Sequence, residues 1–357
     1  MIAQRDITLE ARRRAVQSAL DSSKSASERN RLGQFATPHA LAVDIARYTA
    51  SLLGDPKQPV RFADPSIGSG SFFSAALEVF GAERLESAIG VEIDAAFANA
   101  ARSLWADVGL EVILADFTRL VANDSCPRGP NLILANPPYV RHHHMDRAQK
   151  ERLQTLTRRM TGVEVNGLAG LYIYFFLLAT AWMEDAGHTA WLIPSEFMDV
   201  NYGAALKNFL TDRVTLIRVH RFAAEDVQFG DAFVSSVVLF FRKTAPPPGH
   251  AAEFTFAGTL TEPLVSDTIS LDQLRKTRKW TAYPVHADND RRALINVSGT
   301  TLADLFCIQR GIATGDNKFF ILDRAGAHRR GFPAAYLRPV LPSPRHLTDR
   351  CAMKFNL

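Results

Sequence analysis

Cysteine is scarce in this chain: Cys126, Cys307 and Cys351 are the only three in 357 residues. They are odd in number, far apart and in no metal-ligand spacing. That argues against a disulfide or zinc framework and for a reducing compartment, the cytoplasm of a bacterial-type cell. No apolar run reaches the roughly 18 residues of a membrane span. The nearest, Gly167 to Met183, is an uncharged 17-residue stretch holding two glycines, two tyrosines and a tryptophan. It reads as a helix buried against a sheet, and no membrane partner is expected. Met1 to Glu10 is polar and lacks the apolar core of a secretory leader.

Neither sign of charge dominates. Lys and Arg total 41 against 37 Asp and Glu, a net charge of +4. This permits a polyanionic partner without requiring one. Hydrophobic residues make up 47% and charged residues 22%, an ordinary soluble composition in a chain long enough for one large or two ordinary domains. The adjacent histidines His142, His143 and His144 cannot all face one ion from a regular element, and no Cys or His stands at a ligand spacing from them. No metal site is expected.

What the chain does carry is Leu132-Ile133-Leu134-Ala135 followed by Asn136-Pro137-Pro138-Tyr139. The apolar run reads as a buried strand. Two prolines lack N–H donors and fix φ, so the strand must end there in a stiff loop. That loop offers an amide (Asn136), a carbonyl (Pro137) and an aromatic face (Tyr139), a set suited to a planar substrate with an exocyclic NH2. Accepting both N–H bonds draws the nitrogen lone pair out of conjugation, so a strong electrophile suffices and no general base of matched pKa is needed. A plain proline turn at a strand end is the competing reading of the motif alone.

The preceding strands weigh against that competitor. Val60 to Pro65 reads as a strand, Ser66-Ile67-Gly68-Ser69-Gly70-Ser71 as a turn, and the residues to about Gly81 as a helix. Glycines at a helix N-terminus let backbone approach a ligand. No Lys-Ser/Thr follows, so this is not a phosphate loop, and Phe73 replaces the third glycine of a dinucleotide fingerprint. The next strand, Ala88 to Asp94, carries Glu92, 22 residues after Gly70, where a carboxylate meets ribose hydroxyls. Val112 to Phe117 ends in Asp116 and Phe117, which can accept from an adenine amino group and cover its ring. Successive strand ends thus give a ligand turn, two acids and the amine-holding loop, all expected in one crevice.

Thr37-Pro38 reads as the cap of a helix over 39–53, and the basic residues 9–31, with Arg12-Arg13-Arg14, as a solvated helix face. Helix 168–184, strand 189–193, helix 202–210 and strands 214–222 and 233–241 complete a seven-stranded α/β sheet with helices on both faces. The Pro-rich stretch 244–249 reads as a linker. The expected organisation is a helical extension (1–32), a cofactor domain (33–245) and a smaller, incomplete α+β recognition region (250–357).

Together these residues resemble the S-adenosylmethionine-dependent N6-adenine DNA methyltransferases of the gamma arrangement, of restriction–modification type. The resemblance rests on Gly33-Gln34-Phe35-Ala36-Thr37-Pro38, Asp64-Pro65-Ser66-Ile67-Gly68-Ser69-Gly70, Gly90-Val91-Glu92-Ile93-Asp94, Ala115-Asp116-Phe117, Asn136-Pro137-Pro138-Tyr139 and Val237 to Phe241. It departs at Ile67, where the family often has Cys. It implies S-adenosylmethionine held by Phe35, Thr37, Asp64, Ser66, Gly68, Gly70, Glu92, Ile93, Asp116, Phe117 and Asn136. The target amine would be gripped by Asn136 and Pro137 beside Pro138, with Tyr139 and Phe241 packed on a flipped adenine. Flipping is required because N6 is buried in a duplex. Arg310 to Asn317 looks like the entry to a recognition domain, so Arg141, His142, Arg310, Thr314, Asn317 and Lys318 are candidate DNA contacts. Duplex DNA is the expected substrate, and a cognate restriction endonuclease a candidate partner. The alternatives are an RNA adenine or protein glutamine methyltransferase, and a nucleic-acid-binding subunit with a vestigial cofactor site. An NAD oxidoreductase ranks lower.

Overall fold

The computed structural model describes residues 2–120, 128–223, 235–284, 305, 314, 316–338 and 340, with backbone alone at 2–8, 26, 27, 30, 317 and 318. They group into two compact units, Met1–Ala287 and Asp288–Leu357. The second unit, among its described residues, holds short helices at Asn317–Phe320 and Arg324–Arg329.

The first unit is a nine-stranded sheet between two helical layers. Its strands are β1 (Val60–Asp64), β2 (Leu85–Glu92), β3 (Leu110–Leu114), β4 (Leu132–Ala135), β5 (His188–Pro194), β6 (Thr215–Arg221), β7 (Ser236–Arg242), β8 (Ala251–Gly258) and β9 (Pro263–Ser270). They lie in the order β3-β2-β1-β4-β5-β7-β6-β8-β9. Strands β1 to β5 are parallel to their neighbours among themselves, while β7 runs antiparallel to both β5 and β6. The chain winds outward from β1 through β2 to β3, then returns to β4 on the other side of β1. That reversal opens a crevice beyond the carboxyl ends of β1 and β4.

Seven strands were expected from the sequence; the sheet has nine. Strand β8 pairs parallel with β6, and β9 antiparallel with β8, so stretch 244–249 is a connection within the sheet rather than an interdomain linker. The buried Arg218 of β6 fastens this addition. It pairs with Glu253 at 2.6 Å, donates to the Leu260 carbonyl and lies 4.1 Å over the Tyr48 ring.

The helices are α1 (Ile2–Ser22), α2 (Ala26–Leu32), α3 (His39–Ser51), α4 (Ser71–Phe80), α5 (Ala95–Trp105), α6 (Arg147–Thr161), α7 (Leu171–Trp182), α8 (Ala204–Asp212) and α9 (Leu271–Lys276). Strand side chains alternate faces. Leu132 and Leu134 of β4 join the core under α3, α4 and α5, whereas Ile133 and Ala135 join that of α6, α7 and α8. The long uncharged stretch forms α7, twelve residues of which nearly all are buried in this second core. Among the described residues no helix is long and apolar enough to cross a membrane.

Two local expectations change. The Thr37 hydroxyl makes no cap; α3 starts at His39 without a side-chain cap bond. Within the Arg12 to Arg14 run, Arg13 is buried rather than solvated, because it shares a helix face with Leu9 and Val16, which pack on the first core.

Candidate active site

A cavity of about 380 Å³ lies at the carboxyl ends of β1 to β4, within the roughly 300–1,000 Å³ of small-molecule sites. The tips of β1 (Asp64, Ser66, Gly68), β2 (Glu92, Ile93), β3 (Asp116, Phe117) and β4 (Asn136, Pro138) all line it, as do Phe35 and Thr37. Four strand ends that are far apart in sequence thus converge, as the order of motifs requires.

Each tip is held by its own turn chemistry. After β1 the chain turns through Gly68 (φ 54°) and Gly70 (φ 91°), in the left-handed region where a Cβ is strained. A Cβ on Gly70 would also fall 2.4 Å from the Trp105 ring nitrogen. That nitrogen donates to the Ser69 carbonyl at 2.9 Å. Gly70 therefore shapes the turn without lining the cavity. Ile67 packs on Gly90, where a Cβ would meet it at 2.7 Å, so the bulk at position 67 is accommodated by the missing side chain in β2.

Asp64 is buried, and burial pushes its carboxyl up to about 7, against hydrogen bonds from Ser66 and with the help of nearby Glu92. Its Oδ1 accepts from the Ser66 amide at 2.9 Å. Glu92 is also raised, by burial first. It joins two tips, accepting from Gly68 N at 3.0 Å and Asp94 N at 2.9 Å. Asp116 caps its turn by accepting from Thr118 N at 2.9 Å, and the Arg152 guanidinium braces it at 3.6 Å. Phe117 is buried against Phe175 and Trp182, while Ile93 stands 68% exposed at the cavity wall.

Asn136 gives the clearest chemical statement. Its Nδ2 donates to the Phe35 carbonyl at 2.8 Å and to Thr37 Oγ1 at 3.1 Å. A main-chain carbonyl can only accept, so the amide orientation follows from its partners. The opposite atom, Oδ1, is buried with no hydrogen-bond partner. Such an acceptor costs about 1–3 kcal/mol when left unsatisfied, and it marks where a donor belongs. Thr37, read as a helix cap, is spent here instead.

Other assignments move. Tyr139 is buried in the core, not on the cavity wall. Its hydroxyl donates to the Leu192 carbonyl at 3.0 Å, and its ring lies 5.5 Å from that of Phe35. Its amide donates to Gly33 O at 3.1 Å, and Gly33 (φ 64°) is demanded there, since a Cβ would sit 2.3 Å from Tyr139 N. Phe241 is fully buried, its ring 5.2 Å from Phe176, and does not line the cavity. In β7 consecutive side chains point to opposite cores, so Phe241 enters one core and Phe240 the other. Pro137 is buried, and Pro138 takes the wall.

Arg141 is exposed and His142 half-buried, at the start of the turn His142–His144. His144 lines the cavity mouth with Arg31. Its imidazole is held below the ordinary range by desolvation first, then by the positive charges of His143, Arg31 and Arg141. Of the remaining candidate DNA contacts, Arg310 lies outside the described residues, Thr314 is half-buried, and Asn317 and Lys318 are described as backbone at the start of Asn317–Phe320. Missing from the sequence reading were Arg13, Gln17 and Lys24 of α1 and its exit, and Arg152 of α6. The 9-13-16 spacing of Leu9, Arg13 and Val16 was the available signal.

Known proteins resemble this chain in sequence and fold. Residues 122–228 match the family described as Eco57I restriction-modification methylase. The chain is 31% identical over 314 residues to the type II methyltransferase M.XamI of Xanthomonas campestris pv. amaranthicola, covering 85% of this chain and 56% of that protein. It is 27% identical to the type II methyltransferase M.AccI of Acinetobacter calcoaceticus, over 91% of this chain and 60% of that one. The chain thus spans somewhat over half the length of these curated relatives. The fold is shared with a class I S-adenosylmethionine-dependent methyltransferase structure from Listeria monocytogenes (TM-score 0.55, 15% identity, 71% of this chain and 75% of that one). Over these matched stretches the chain is similar to a restriction-modification methylase family and to type II methyltransferases.

Proposed function

We propose that the protein transfers a methyl group from S-adenosylmethionine to N6 of an adenine flipped out of duplex DNA, as the modification part of a restriction–modification system. The observation that carries this reading is the unpartnered Oδ1 of Asn136 beside a cavity rimmed by strand-tip carboxylates. Oδ1 accepts one N–H of the target amine and the Pro137 carbonyl the other, so the lone pair is aimed while the amine stays neutral. S-adenosylmethionine would supply a methyl on a sulfonium, an electrophile that needs no metal and no strong base: its S–CH3 bond breaks as N6–CH3 forms, the thioether leaves as S-adenosylhomocysteine, and the methylated nitrogen, now acidic, loses one proton to water. Glu92 takes the ribose hydroxyls, Asp116 and Phe117 the cofactor adenine with Ile93 on its open face, and Asp64 with Thr37 the methionine end. Arg31 and Arg141 give the mouth a positive rim for a phosphate backbone, beside the hydrogen-bonding rings of His142 to His144.

Transfer of labelled methyl groups to unmethylated duplex DNA, RNA and protein, followed by nucleoside analysis, tests this. N6-methyladenine in DNA is expected, with protection from an endonuclease of the same recognition sequence. Label appearing only in RNA, in protein or on cytosine would overturn the reading. Calorimetry showing no cofactor binding would favour a vestigial subunit.

A pH dependence follows from Asp64. Its folded-state pKa is raised to about 7 from 3.8, so the neutral carboxyl favours the folded protein at low pH. That contribution is lost as pH rises through 7. A cationic ligand group reverses the preference by favouring the carboxylate. Between pH 6 and 7.5 the affinity for S-adenosylmethionine should therefore rise up to about tenfold, with proton release on binding. Asp64→Asn should flatten this slope. An affinity independent of pH in the unaltered protein would show that Asp64 does not face the cation.

A further inference from the structure

We propose that residues 9–37 form a strap closing one side of the cofactor cavity, with Arg13 as the positioning residue that sets the Ser69-Gly70-Ser71 turn. This rests on the methyltransferase reading above and deepens it. The strap touches the turn after β1, the β2 tip and Asn136. Arg13 is buried, and its Nη1 donates to Ser69 Oγ at 2.9 Å and Ser71 Oγ at 2.8 Å. The other edge of the guanidinium pairs with both oxygens of buried Glu10, each at 2.7 Å. Ser69 Oγ also donates to Gln17 at 2.7 Å. At the far end of α1, Lys24 pairs with Asp94 at the β2 tip, bonds Gln34 at 2.9 Å and lies 5.2 Å over the Phe97 ring. The strap then delivers Phe35 O and Thr37 Oγ1 to the Asn136 amide.

The chemistry of these ties separates positioning from mere packing. A buried ion pair is weak evidence for stability, since an apolar side chain of similar volume fills the same space without desolvating a charge. A guanidinium has instead a rigid planar fork. With one edge on Glu10 and the other on two hydroxyls, it sets where Ser69 and Ser71 stand, and hence the turn at Gly70 between them. Gln17, Asp21 and Arg31 of the strap line the same cavity as Asp64 and Glu92. A ligand between these walls leaves on that side only when the strap lifts. Because the same segment orients Asn136, cofactor retention and the acceptor geometry are held by one element.

The test uses the full chain. Arg13→Gln should raise both the Kd and the KM for S-adenosylmethionine by about tenfold or more, as loss of a supporting contact does. At saturating cofactor, kcat should fall less than about threefold and the KM for DNA should hold, since the reacting groups are untouched. A purely structural role would lower Tm while leaving the cofactor KM of the folded fraction unchanged, and that result overturns the proposal. If Arg13→Gln does not fold, Lys24→Ala decides: several-fold faster cofactor release supports the strap, and an unchanged rate overturns it. Unaltered protein that binds no S-adenosylmethionine overturns the methyltransferase reading, and the strap with it. Normal binding with indifferent variants overturns the strap alone.

Discussion

Asn136→Ala should lower kcat by about 10²- to 10³-fold while cofactor affinity shifts by less than about threefold. The alanine removes Oδ1, a buried side-chain acceptor at the cavity with no hydrogen-bond partner among the described residues. Its contact with a substrate amine strengthens as the nitrogen becomes tetrahedral, so the loss falls on turnover rather than on ground-state binding. Glu92, Asp116 and the Gly68 turn, the proposed cofactor contacts, come from other strands and are left in place. Phe35 O and Thr37 Oγ1 lose their partner, yet the loop stays anchored by Tyr139 N to Gly33 O at 3.1 Å. Single-turnover methyl transfer with calorimetry for the cofactor measures both quantities. A variant with kcat within twofold of the unaltered protein would remove Asn136 from the chemistry.

The second large effect concerns Tyr139. Its buried ring and its hydroxyl bond to Leu192 O make it a structural pin between the catalytic loop and β5. Tyr139→Ala should cost about 3–5 kcal/mol of stability through the cavity it leaves. Tyr139→Phe keeps the ring and loses one hydrogen bond, about 1 kcal/mol. Urea unfolding of the two variants reads this difference. For this ring to cover a flipped base as well, the Phe35 ring against it must shift. Tyr139→Phe should therefore keep kcat within about threefold, since both the packing and any stacking face are retained. A loss below 1 kcal/mol in Tyr139→Ala would contradict the buried placement.

Much of the site was legible because strand tips are written locally. Alternation or an apolar run ends in Gly, Asp or Pro, and those residues set the turn whatever the rest of the chain does. Asp64, Glu92, Asp116 and Asn136 were found that way, and all four line one cavity. That Tyr139 and Phe241 lie in the cores rather than on the cavity wall was not legible, because burial is a property of the partner surface. Phe240 and Phe241 look alike in sequence, and only the pairing of β7 with β5 and β6 determines which core each enters. Strands β8 and β9 were missed for a related reason, since a change in composition after the Pro-rich stretch does not reveal a parallel pairing with β6.

The local signals alone thus determined the α/β class, the order of the tips and the stiff Asn136-Pro137-Pro138 loop, through turn chemistry and side-chain periodicity. Only the tertiary structure decided that α1 folds back so that Arg13 grips Ser69 and Ser71. It also decided that Thr37 serves Asn136 and that Tyr139 lies beneath the site. Those contacts join residues 56 to 99 positions apart, and a helix face or hydroxyl chooses its partner only once packing has brought the partner within bonding distance.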